Sequence, residues 1–277
     1  MSAVEPRPIV IAPSSGWRSI DLREVWEYRE LLFILVWRDI KVRYRQTLLG
    51  VLWVVAQPLL TAVIFTVLFN RVAKIDAGGG VPYSLFVMVA LVPWSFFAAG
   101  VSASGNSLIG SSHLISKVYF PRVIVPAASV LSGFVDMAVT LALVIVMSLV
   151  YRAGVPPQVI FLPVAILICA LFAFGIGMWL SALNVEYRDI RVIIPFLLQL
   201  WMYATPVVYP LRVVPEKYRW VALINPMTGI VETFRAAMLG GAIPWPQLGY
   251  SVAVMAVVLV SGAFYFRRME RLFADVL

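Results

Sequence analysis

Cysteine and histidine are nearly missing from this 277-residue chain, with one of each. The single cysteine, Cys169, can form no internal disulfide, and His113 alone makes no zinc site. Charged residues are scarce as well, at 13%, against roughly 25% in soluble domains. No G-x-x-x-x-G-K-[ST] loop occurs, so the chain does not bind ATP in the P-loop manner. The H-E-x-x-H, G-x-S-x-G and D-x-x-x-D patterns are also missing, and no catalytic or metal-ligating set is expected. What fills the chain is apolar, at 62% of residues. A water-soluble globule of this length cannot hide that much apolar surface. The composition excludes a soluble enzyme, a disordered chain and a disulfide-stapled domain, and points to an integral membrane protein.

Residues 1–20 carry three prolines and no apolar core of signal-peptide length, which reads as a flexible tail and not a secretory signal. From Asp21, apolar residues at Val25, Tyr28, Leu32, Val36, Ile40 and Tyr44 follow helical spacing, with Phe33 and Trp37 widening the stripe. Glu27, Arg38, Lys41 and Arg45 fall on the other side. The uninterrupted run Leu31 to Trp37 is too short to cross a bilayer, so residues 21–47 are expected to form an amphipathic helix in the membrane surface.

Six later stretches have the roughly 20 apolar residues that a span needs. They cover 49–69, 83–104, 123–151, 159–183, 192–211 and 248–266, within a transmembrane domain of 48–277. The net charge of +8 bears on which side of a bilayer the cations occupy. With the N-terminus inside, 15 of the 22 Lys and Arg fall in cytoplasmic segments. By the positive-inside rule both termini belong in the cytoplasm of a multi-pass protein. Between spans two and three, residues 106–122 predict a short helix capped by Asn106 and stopped before Pro121. In the outer segment before the last span, Asn225 and Pro226 start a helix of about 14 residues that stops at Gly240-Gly241. It is too short to span and reads as re-entrant, with Glu232 and Arg235 spaced to pair.

Asp136, near the middle of the third span, is the exceptional intramembrane acid, costly by a few kcal/mol. One reading is a polar contact in a substrate path or a proton relay. The other is a hydrogen-bonded Asp bridging to a neighbouring helix, with Ser132 or Thr140 one turn away.

Three segments carry a resemblance. VWRDIKVRYRQTLLGVLWVVAQPLL, residues 36–60, combines a basic-aromatic turn with a Leu-Gly entry to the first span. NVEYRDIRVIIPFLLQLWMYATPVVYP, residues 184–210, joins an Arg-Asp loop to a span ending in T-P-V-x-Y-P, and INPMTGIVETFR covers residues 224–235. From about residue 20 onward the chain resembles the permease subunit of ABC-2 type polysaccharide exporters, which export O-antigen, capsule or teichoic acid chains. The resemblance implies an all-α, six-span protein of the bacterial inner membrane that works as a homodimer. It also implies two separate ATPase subunits on the cytoplasmic loops, with ATP and magnesium bound there and no cofactor in this chain. The expected cargo is a lipid-linked glycan such as O-antigen; nucleic acid is not an expected partner.

Under that resemblance Arg38, Lys41, Arg43, Tyr44 and Arg45 are candidates for holding the substrate's phosphate headgroup; as plain composition they would anchor to anionic lipid. Rings and amides suit a sugar conduit, which nominates Trp53 and Gln57 on the first span. On the fifth span the same argument nominates Gln199, Met202, Tyr203, Pro206 and Tyr209. Interfacial aromatic belts and helix packing are the alternative. Glu232 and Arg235 are candidates for an outer gate. Leu108, His113, Ile115 and Lys117, with Glu186, Arg188 and Asp189, are candidates for ATPase coupling; a solvated, charge-balanced turn is the alternative. Three other functions compete: a permease for a small glycolipid or drug; a membrane-embedded enzyme acting on polyprenyl lipids, which would need clustered acidic residues that this chain lacks; and a proton-coupled secondary transporter, which would ordinarily show internal repeats with broken helices and more than one buried acid.

Overall fold

The computed structural model describes residues 22–45, 50–78, 80–187 and 189–270, and all regular structure among them is helical. Helix α1 (Leu22–Glu27) passes through Tyr28 into α2 (Arg29–Arg45) without losing its backbone bonding, since Leu32 N–H still donates to Tyr28 O at 3.1 Å. Helix α3 (Gly50–Phe65) loosens into a π-helix over Thr66–Val72. Then come α4 (Tyr83–Gly110), the single turn α5 (Ser112–Ile115), and a pair, α6 (Ile124–Ser132) and α7 (Phe134–Val150), that meets at Gly133. A 3-10 turn at Pro157–Phe161 feeds α8 (Leu162–Glu186). The chain closes with α9 (Ile190–Ala204), α10 (Glu216–Ile224), α11 (Pro226–Leu239) and α12 (Trp245–Met269).

Among the described residues five stretches are long and apolar enough to cross a membrane: Leu52–Val72, Tyr83–Gly110, Ile124–Val150, Pro157–Glu186 and Trp245–Met269. The expected fifth span, 192–211, is a shorter helix of 15 residues. It rises about 22 Å, less than the roughly 30 Å hydrocarbon core. Its end has a local cause. Thr205 precedes Pro206, a position from which the α region is excluded, and its backbone turns extended at φ −95°, ψ 137°.

Helix α4 is the most buried of the spans and lies between α8, α6, α7 and α11. Helices α8 and α12 meet almost backbone to backbone. A Cβ on Gly262 would lie 2.7 Å from Gly175 O, and one on Gly175 would lie 3.0 Å from the Leu259 backbone. Small residues at a crossing permit this dispersion-driven contact in lipid. Gly262→Ala is therefore expected to cost about 1–3 kcal/mol through overpacking, seen as earlier melting of the detergent-solubilised protein. Gly249→Ala, on the same helix with no atom within 4 Å of its added methyl, should be neutral or slightly stabilising.

Two apolar clusters divide the bundle along its length. One gathers the C-terminal parts of α4, α8 and α12 with the start of α6, through Leu108, Ile124, Met178 and Phe266, and takes Leu35 of α2 into it. The other holds the rest of the spans and α11. At its far end α2 reaches Asp136 through Arg43 and Tyr44, so α2 advances alongside α6 towards the inside of the bundle. Its apolar residues do not form one buried stripe. Leu35 is buried, while Phe33 and Trp37 are 68% and 51% exposed, so the helix has one apolar face on protein and another left uncovered.

Asn106 is not a helix cap, because α4 continues through it to Gly110. Its side chain donates to Ser102 O at 2.8 Å and accepts from Asn184 of α8 at 3.2 Å. Asn184 also donates to Gly105 O at 2.9 Å, so the polar stretch stays helical by satisfying itself against α8.

Candidate conduit and its polar anchors

Asp136 sits in the first turn of α7, and both of its carboxylate oxygens are engaged by α2. Arg43 Nη1 pairs with one and the Tyr44 hydroxyl donates to the other. Burial, followed by the Asp136 carboxylate, pushes the Tyr44 phenol up to about 12, so it remains a proton donor at neutral pH. The partners anticipated from the sequence are different ones. Thr140 donates to the Asp136 backbone carbonyl at 2.9 Å, and Ser132 to Ser129 O at 2.9 Å. Both hydroxyls turn back on their own helices, as serine and threonine in helices commonly do.

The remaining basic residues of α2 do not converge on this pair. Arg38 bonds its neighbour Asp39 at 2.8 Å and reaches Ser111 at 3.5 Å. Lys41 is exposed, with its ammonium 5.4 Å from the centre of the Trp37 ring. The Arg45 side chain lies outside the described residues.

Asp136 also lines a cavity of about 430 Å³ between α3, α4, α7 and α9, together with Gln57, Thr61, Trp94, Ser95 and Met202. The fold thus brings Gln57 and Met202 together from two helices nearly 150 positions apart in sequence. The rest of the nominated conduit set is spread along open faces. Trp53 is 61% exposed, Gln199 and Tyr203 are exposed, and Tyr209 is half-buried with its hydroxyl donating to Tyr203 O at 3.0 Å. Pro206 is buried and lines no open surface, because the turn that contains it folds inward. Helices α3 and α9 bury few of their residues. Among its described residues α3 buries only Ala62, and α9 buries only Ile194 and Leu198.

At the opposite end from Leu35, α11 begins as its sequence predicts. Asn225 caps it, accepting from Met227 N–H at 3.0 Å, and Gly240 stops it with φ +85°. The same Asn225 does more than cap. Its Oδ1 accepts from the Trp201 indole at 2.9 Å, and its Nδ2 donates to Thr205 Oγ1 at 2.8 Å and Ala204 O at 3.3 Å. Trp201 in turn lies edge-on to Phe97 and Phe172, which fixes the end of α9 to α4 and α8.

The anticipated pair of Glu232 and Arg235 forms at 2.5 Å, but Arg235 is only 5% exposed. Its Nη2 donates to Val207 O at 2.7 Å and its guanidinium lies 3.7 Å from the centre of the Phe86 ring. Tyr83 donates to the adjacent Val208 O. Arg235 is thus a clamp on the turn 205–210, and with Glu232 it also borders a second cavity of about 480 Å³. Trp201, Thr205 and Tyr83 were not legible as parts of this assembly. The one local signal was the Asn-Pro pair, which has meaning as a cap whether or not anything else binds it.

Of the nominated coupling residues, Leu108 and Ile115 are buried in the cluster around Leu35. They anchor the segment from inside and offer nothing to a docking partner. His113, Lys117, Glu186 and Asp189 are exposed, as are Val118 and Tyr119 beside them. Arg188 lies outside the described residues.

Comparison with known proteins gives this arrangement a family. The model of the ABC-2 type transporter family matches residues 30–239. The chain is 32% identical over 254 residues to the O-antigen export system permease protein RfbA of Myxococcus xanthus, covering 90% of this chain and 96% of that one. It is 28% identical over 251 residues to the protein of the same name from Klebsiella pneumoniae, with 90% and 95% coverage. The polysialic acid transport protein KpsM of Escherichia coli is 22% identical over 247 residues, with 87% and 93% coverage. A helical chain with five candidate spans, matched along most of its length by these permeases, belongs to the ABC-2 type transporter family and is a multi-pass membrane transport subunit.

Proposed function

We propose that this chain is the six-span transmembrane subunit of an ATP-driven exporter that moves a lipid-linked, O-antigen-like polysaccharide across the bacterial inner membrane. Helix α9 with the turn after it supplies the sixth crossing, α11 is the re-entrant outer segment, and both termini face the cytoplasm. Two copies enclose the path between them, and a separate ATPase docks around His113, Lys117, Glu186, Arg188 and Asp189. Arg43 and Tyr44 receive the phosphate headgroup, while α11 with Glu232 and Arg235 closes the outer end.

The observation that carries this reading is the open surface of α3 and α9. Both lean on α4 and leave Trp53, Gln57, Gln199 and Tyr203 uncovered. An amide facing hydrocarbon without a partner is costly, whereas amides and rings bordering a sugar path in a dimer have water and hydroxyls to bond. The relatives named for O-antigen and polysialic acid support a polymeric sugar over other cargo.

In lipid vesicles, assembled with its partner ATPase, the complex is expected to hydrolyse ATP faster when lipid-linked glycan is supplied. It should do so after the proton gradient has been collapsed, which separates it from a proton-coupled carrier. Stimulation by small amphiphiles alone would overturn the polysaccharide assignment in favour of a small glycolipid or drug permease.

A further inference from the structure

The pairing of α2 with Asp136 places three observations in one spot. Of the five residues nominated for a phosphate headgroup, two, Arg43 and Tyr44, hold the Asp136 carboxylate. That carboxylate lies in a span, where an unpaired negative charge is costly. It also lines the cavity shared by α3, α4, α7 and α9, and the pair is partly exposed, with side chains 33% and 27% accessible.

Each carboxylate oxygen takes one donor, a guanidinium N–H on one side and a phenol O–H on the other. Two non-bridging oxygens of a phosphate would be received by the same donors in the same way. We infer that Asp136 is a resident stand-in for the phosphate or diphosphate of the cargo lipid, occupying Arg43 and Tyr44 until an incoming headgroup displaces it. This inference rests on the headgroup role given above to Arg43 and Tyr44.

The exchange is selective by charge. A diphosphate brings more negative charge and more acceptor oxygens than one carboxylate, whereas a neutral glycolipid brings neither and leaves the pair closed. Displacement also unfastens α2 from α7, because no other side-chain hydrogen bond joins those two helices among the described residues. The freed Asp136 then faces the cavity beside Gln57 and Thr61, where polar groups and water can receive it.

The test uses the full-length protein in nanodiscs, titrated with inorganic diphosphate and with a polyprenyl diphosphate. Asp136→Asn removes the competing charge, so half-saturation is expected at about tenfold lower ligand, the reverse of a tax on the binding-competent state. Arg43→Gln should abolish binding in both backgrounds. If Asp136 only supports the fold, Asp136→Asn will melt earlier and bind no tighter, which overturns the inference. The unaltered protein gives a second readout. Diphosphate should speed modification of Asp136 by an apolar carbodiimide severalfold, followed by mass spectrometry, and an unchanged rate would overturn the inference too. Failure of the wild-type protein to bind either probe would also sink it, while glycan-stimulated ATP hydrolysis would still judge the export assignment separately.

Discussion

Arg235→Ala is expected to destabilise the protein more than any other single change at the outer end, by about 3 kcal/mol. The arginine is almost fully buried, and its removal strands two groups at once. Glu232 loses its partner, and the Val207 carbonyl loses the 2.7 Å bond that holds the turn. Glu232 keeps some solvent, with its side chain 24% accessible, so the loss falls at the low end of the range for broken buried pairs. For a chain of this size that shift corresponds to roughly 10 °C in melting temperature, readable in detergent by the exposure of Cys169, which is buried in the folded protein. Arg235→Lys should rescue little. An ammonium is a point charge and cannot bond the carbonyl, pair with Glu232 and lie flat over Phe86 together. A melting curve unchanged by Arg235→Ala would show that the clamp contributes nothing.

The second large effect is expected at Asn225. Alanine there removes the cap of α11, worth about 1 kcal/mol, and leaves the half-buried Trp201 indole without its acceptor, worth about 1 kcal/mol more. Asn225→Asp separates the two halves of the role. It keeps the acceptor for Met227 and Trp201 but loses the amide donor to Thr205 and Ala204. Aspartate should therefore fall between asparagine and alanine in melting temperature, and the Trp201 emission should shift only in Asn225→Ala. Equal losses in both variants would mean that the amide N–H bonds, and not the cap and indole, dominate.

Features written in adjacent residues were legible, and features that join distant ones were not. The bounds of α11 follow from Asn225-Pro226 at one end and Gly240-Gly241 at the other, both local signals. The long spans follow from composition alone. By contrast, nothing near Asp136 announces Arg43 and Tyr44, which lie more than 90 positions away. The fifth span came out shorter than its apolar run because hydropathy counts Pro206, Val207 and Val208 as membrane-compatible, while the backbone before a proline leaves the helix. Asn106 looked like a cap because its neighbours are polar, yet α8 offers those neighbours bonds that keep them helical. Coupling residues were nominated by position in a loop, and position does not reveal that Leu108 and Ile115 point into the core.

Helix α9 is fastened by Trp201, Thr205 and Asn225 at one end and buries only Ile194 and Leu198 along the rest of its length. Mechanically that is a rod hinged at its tip. Its soft motion is a swing, and its stiff motions are sliding and rotation, both of which would tear the indole from its acceptor. Over a rod about 22 Å long, a swing of roughly 10° carries the Ile190 end sideways by about 4 Å. The end away from the hinge, where Ile190 and the buried Ile194 pack on the bundle, is also the end beside the exposed Glu186 and Asp189. A push there has the full length of the helix as its lever arm, whereas the same push at the hinge would meet an immovable fulcrum.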